Sequence, residues 1–93
     1  MVIGLLQIRI SLPEARSLKD KRRVVRSLKD RIVHRMNVSA AEVGCQEAWQ
    51  TAELAFVTVA AESACVQERL AELSARVRSD PRYVLLDLQT TLR

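Results

Sequence analysis

Between Ser17 and Asn37 the sequence SLKDKRRVVRSLKDRIVHRMN sets its apolar residues at helical spacing. Leu18, Val25, Leu28, Ile32 and Met36 recur on one face of a 3.6-residue repeat. Ser17 is placed to cap the first turn, with Asp20 three residues on as a shortened capping box. A helix with one apolar stripe has to bury it against another layer, so the flanking segments decide the fold.

Those segments read as strands. Residues 2–12, VIGLLQIRISL, alternate, with Leu6, Ile8, Ile10 and Leu12 on one side and Gln7, Arg9 and Ser11 on the other. Pro13 stops this strand, and Pro13–Arg16 turns into the basic helix. Asn37 suits a left-handed helix end. VSAAEV, residues 38–43, has the small side chains of an edge strand, and GCQEAWQT, residues 44–51, is a connection. Residues 52–61, AELAFVTVAA, are apolar on both faces, as a central strand is. Ser63 is placed to cap a second helix carrying Val66, Leu70, Leu73 and Val77, which Asp80–Pro81 ends. Tyr83–Leu92 closes the chain as a strand.

The order β-α-β-β-α-β, with right-handed crossovers, predicts a single α+β domain over residues 1–93. It is a ferredoxin-like sandwich with a four-stranded antiparallel sheet and both helices on one face. The first and third strands are expected in the centre, the second and fourth at the edges. Such a sandwich leaves one sheet face bare. Ile3, Leu5, Val57, Val59, Tyr83 and Leu85 are expected there, a patch that predicts a homodimer formed by sheet packing or edge pairing.

The net charge of +4 conceals a split. Residues 1–36 carry ten basic and three acidic side chains, residues 37–93 five and eight, so the halves stand at +7 and −3. One cationic face and one mildly anionic face follow. The chain begins without a basic leader and contains no apolar run near the roughly 20 residues a bilayer requires, which reads as a cytoplasmic protein without a membrane partner. Cys45 and Cys65 stand twenty apart without a CxxC and with only His34 as an imidazole, so neither a metal site nor a disulfide is expected.

Most catalytic patterns are missing. There is no GxGxxG, Walker lysine motif or GxSxG, and His34 projects opposite the apolar stripe. Neither a nucleophile–base pair nor a cofactor is expected, and the chain reads as non-enzymatic.

The basic helix is the stronger candidate site. Lys19, Lys21, Arg22, Arg23 and Arg26 form a candidate nucleic-acid-binding cluster. A solvated face with weak Arg26–Asp30 and Asp20–Arg23 pairs would also account for them. Yet each cation in the first turns typically costs about 0.3–1 kcal/mol against the helix dipole, in a place where anions bind well. Phe56 is the one aromatic on the two central strands, so base stacking on the sheet is not expected. RNA binding would be backbone-directed, salt-dependent and suited to structured RNA.

SLKDKRRVVRSLKDRI, then NVSAAEVG, Gln46 and WQTAELA, resemble the YlxP-like family of small bacterial proteins, a domain of unknown function. The resemblance covers nearly the whole chain. It implies a ferredoxin-like fold and, because genes of the family often lie among those for translation initiation and ribosome maturation, an RNA- or ribosome-linked role. It implies no catalytic residues. Ser17, Lys19, Asp20, Lys21 and Arg22 match the family motif, as do Gly44, Gln46, Trp49 and Gln50, a candidate interaction loop. Gly44 there suggests a backbone conformation closed to other residues, and Trp49 a packing anchor more readily than a ligand platform, with Gln46 and Gln50 available to bond the loop. Cys45 stands where the family often has Asp or His. The expectation is an accessory factor binding RNA or the ribosome through its basic helix. The alternative is a dimeric protein-interaction or small-ligand-sensing module using the open sheet face and the Trp49 loop.

Overall fold

A computed structural model describes all 93 residues. The elements run β1 (Val2–Ser11), α1 (Leu18–Arg35), β2 (Ser39–Gly44), β3 (Thr51–Ala60), α2 (Ser63–Arg78) and β4 (Val84–Leu92). The sheet is antiparallel, ordered β2-β3-β1-β4, so the two long apolar strands lie in the centre and both helices pack on one face. This is the ferredoxin-like α+β sandwich that the pattern predicts. No helix is long and apolar enough to cross a membrane.

The core follows from the alternation. Leu6, Ile8, Ile10 and Leu12 of the first segment meet Ala52, Leu54 and Phe56 of β3 and the stripes Val25, Leu28, Ile32 and Val66, Leu70, Leu73, Val77 of the helices. Gly4 is required by close approach, because a Cβ there would lie 2.5 Å from Val66 Cγ1. Ser17 Oγ accepts the Asp20 N–H at 3.1 Å, so the cap is made, while Asp20 Oδ2 reaches one residue past the cap and accepts the Arg16 N–H at 3.0 Å in place of the reciprocal bond to Ser17.

Several local expectations are corrected. Met36, not Asn37, ends α1, and it does so in extended backbone, because Met36 and Val38 both turn into the core. The left-handed residue is instead Cys45, at φ 57°, and no glycine has positive φ. Gly44 therefore has ordinary backbone, and a Cβ there would meet the Glu53 carboxylate, the movable end of a half-buried side chain, at 2.5 Å. Glu62, not Ser63, occupies the cap position of α2, and its side chain makes no capping bond.

Lys21 is the largest correction. It projects inward from the first turns of α1 and is fully buried. Its ammonium lies 2.9 Å from Glu42 Oε2 on β2 and donates to the carbonyls of Cys45 at 2.6 Å, Thr51 at 3.2 Å and Gln46 at 3.4 Å. One side chain thus ties α1 to β2 and to both ends of the β2–β3 loop. Removing one member of a buried ion pair leaves an uncompensated charge, typically at a cost of about 3–5 kcal/mol. Lys21→Met is therefore expected to lower stability in urea unfolding by that order. Lys21→Met combined with Glu42→Leu is expected to recover part of the loss, because the stranded carboxylate is gone; equal stability of Lys21→Met and wild type would refute the anchoring role.

Candidate nucleic-acid interface on the first helix

With Lys21 turned inward, the cluster divides. Lys19, Arg22, Arg23 and Arg26 lie on the outer face of α1, all exposed, and none forms an ion pair. The Arg26–Asp30 and Asp20–Arg23 pairs do not form; the Asp20 carboxylate is instead taken by the cap. The four cations line one trough together with Ser27, Asp30 and Arg31. His34 is exposed, as its position opposite the stripe predicts.

A second electrostatic unit fastens the far side of α1. Asp80 follows α2 and is almost fully buried; its carboxylate accepts from Arg82 Nε at 3.0 Å and Nη2 at 2.6 Å, and from the Arg82 backbone N–H at 3.0 Å. Arg31 Nη1 stands 3.6 Å away, and Arg82 Nη1 donates to Ser27 Oγ at 3.0 Å, so the unit joins α1 to the start of β4. The Arg82 hydrogen bonds hold the Asp80 carboxyl below the usual carboxylate range, and Asp80 in turn raises Arg82.

Tyr83 belongs to this corner and not to the open sheet face. It is buried, and its hydroxyl donates to the Val77 carbonyl at 2.6 Å; burial pushes the phenol upward. Leu85 is likewise removed from the open face, because it stands opposite Ile10 and packs on the core. A bulge at Leu86 shifts the register there and leaves Val84 opposite Ser11 on the open side.

The open face has two halves. Ile3 pairs with Val59 and Leu5 with Val57, forming an apolar patch in which the valines are exposed and the other two half-buried. Beyond it Arg9 lies between Glu53 and Asp87 of the neighbouring strands, with Arg9 Nε 3.4 Å from Glu53 Oε1. Gln7 and Gln89 line the same cavity of about 230 Å³, and Cys45 Sγ lies 3.7 Å from Glu53 Oε1. Sequence reasoning overlooks this group, because its members come from three strands and only the register brings them together. Both cysteines are free, and no three His, Cys, Asp or Glu side chains converge to hold a metal ion.

The β2–β3 loop is closely bonded. Gln46 Nε2 donates to the Glu42 carbonyl at 3.4 Å, and Gln50 Nε2 to those of Pro13 at 3.3 Å and Ala15 at 3.2 Å. Both glutamines thus hold the loop. Trp49 departs from expectation: it is 54% exposed and so is not a packing anchor.

The Asp80 unit carries a pH signature. A carboxyl depressed by folding stabilises the protein above its unfolded pKa near 4, and that contribution is lost as pH falls through its lower folded value. Asp80→Asn is expected to cost about 1.5–3 kcal/mol at pH 7, the usual worth of hydrogen bonds to a charged group. The difference from wild type should shrink in unfolding measured below about pH 3. A difference that stays constant from pH 7 to pH 2 would contradict the assignment.

Residues 3–90 match the family model described as a protein of unknown function, DUF503. The chain is also 29% identical over 80 residues to the uncharacterized protein YlxP of Bacillus subtilis (strain 168), covering 86% of this chain and 87% of that protein. The matched span takes in every element from the first strand to the last, and so the chain belongs to the DUF503 family, the YlxP-like proteins.

Proposed function

We propose that this protein is an accessory factor that binds RNA, alone or within the ribosome, through Lys19, Arg22, Arg23 and Arg26. One observation carries the reading: four exposed cations stand in the N-terminal half of α1 without a carboxylate partner. The helix dipole disfavours Lys19 in the first turn, Lys19 repels Arg23 and Arg22 repels Arg26 at i,i+4 spacing, and no ion pair offsets the cost. A phosphate backbone supplies the missing counter-charge, and about 10 Å of helix between Lys19 and Arg26 carries all four. Lys21 has no part in the contact, since its ammonium is spent inside the fold.

Four phosphate contacts imply a fall in log affinity with log salt of slope about 3–4. Changing Lys19, Arg22, Arg23 and Arg26 together to Gln is expected to abolish most of that slope and to remove RNA retention at moderate salt, with thermal stability unchanged or slightly raised. Equal affinity and equal slope in the variant and wild type, measured by filter binding, would overturn the reading.

A second reading concerns self-association through the open sheet face, as a homodimeric interaction or small-ligand-sensing module. Val57 and Val59 are 41% and 49% exposed beside Ile3 and Leu5, and apolar surface of this kind gains from being covered. The β4 edge adjoining this sheet bears one charge, Asp87, and lacks the Lys or Pro that commonly protects edges. The expected result is a dimer in light scattering at micromolar concentration that persists in high salt, and a monomer for Val57→Asp. A wild-type monomer at that concentration would remove this reading.

A further inference from the structure

Trp49 is the single tryptophan of the chain, and it stands exposed on a loop that is not loose. Lys21 grips the carbonyls of Cys45 and Gln46 before it and of Thr51 after it. The Ala48 N–H donates to the Cys45 carbonyl at 3.1 Å, closing a turn beneath it. Gln50 reaches across to Pro13 and Ala15, and the Leu12 N–H donates to the Gln50 carbonyl at 2.8 Å. An indole held on a fixed loop loses little freedom when a flat partner covers it.

The same bonds locate the indole. They join the loop to the chain leading into α1 and to Lys21 in the first turns of that helix, so Trp49 lies at the end of the molecule that carries Lys19, Arg22 and Arg23. The other aromatics offer no platform, because Phe56 and Tyr83 are buried. An exposed aromatic at the same end of the molecule as free cations is an arrangement that a nucleic acid can span, taking an unpaired base on the ring and its phosphates on the cations.

We propose that Trp49 stacks on an unpaired base of the same RNA whose phosphates the α1 cations hold. Loop and helix then form one composite surface, and the partner is a folded RNA that presents an unpaired nucleotide beside a paired stem. This rests on the RNA-binding reading above. Glu47, the one carboxylate on the loop between Cys45 and Gln50, opposes the phosphates and is expected to weaken the contact.

The chain has one tryptophan and one tyrosine, so emission excited at the long-wavelength edge, where tyrosine does not absorb, reports Trp49 alone and makes the test direct. An RNA hairpin with an unpaired loop and a blunt duplex of the same stem are each titrated into the full chain at low salt. The hairpin is expected to quench the emission and the duplex to bind without quenching. Trp49→Ala should weaken hairpin binding about tenfold, leave duplex binding and the salt slope unchanged, and be largely rescued by Trp49→Phe. Melting curves check that both variants fold. Binding of both RNAs with no difference in quenching, or no effect of Trp49→Ala, overturns the stacking and leaves the helix reading intact. Binding of neither RNA overturns both. Hairpin binding lost in Trp49→Ala but untouched by the fourfold Gln variant overturns the composite surface and the helix reading with it.

Discussion

The buried ammonium of Lys21 is the constraint on which the rest of this structure depends. Taking a charged amine out of water costs several kcal/mol, and the cost is met only if the protein surrounds it with oxygens. Here the carboxylate of Glu42 and the carbonyls of Cys45, Gln46 and Thr51 do so. Their convergence requires β2, the turn after it and the first residue of β3 to sit at a fixed height against α1. The left-handed backbone at Cys45 falls at that turn; a non-glycine residue there carries a penalty of about 1–2 kcal/mol, which the carbonyl contacts offset. The pin therefore fixes the loop that presents Trp49 and leaves the outer face of the same helix turns free for Lys19, Arg22 and Arg23.

The two ends of the fold are held by different means. At the start of α1 a single cation is enclosed by one carboxylate and three backbone oxygens. On the other side, Asp80 is enclosed by Arg82 and Arg31, an anion held by side chains, and Tyr83 locks against Val77 beside it. Between these fastenings the apolar stripes of both helices cover one face of the sheet. The opposite face is left with the valines of β3 and a charged group around Arg9. Nothing in the chain itself covers that face.

Much of the fold was legible because it rests on periodicity. The alternation in Leu6, Ile8 and Ile10 and the four-three-four spacing of Val66, Leu70, Leu73 and Val77 each report a buried face directly, and the structure buries them. The site was legible only in part. Lys21 sits among Lys19, Arg22 and Arg23 in a basic run, and composition assigns all of them to water. The helical phase, however, puts Lys21 with Val25, Leu28 and Ile32, and the acceptor that makes burial tolerable, Glu42, lies on another element. Tyr83 and Leu85 were misassigned for a related reason. A bulge at Leu86 changes which side each residue of β4 meets, and only strand pairing reveals a bulge.

By itself the sequence determined the order of elements, the sheet topology, the capped amphipathic helix and the excess of cations in its first turns, because spacing along one chain encodes faces and ends. Tertiary structure alone decided which of those cations is free. It sent Lys21 to Glu42 and the loop carbonyls, left Lys19, Arg22, Arg23 and Arg26 without partners, and turned Trp49 outward at the same end. The physical reason is that a charge becomes structural or available according to the oxygens brought within reach of it. Those oxygens come from residues more than twenty positions away.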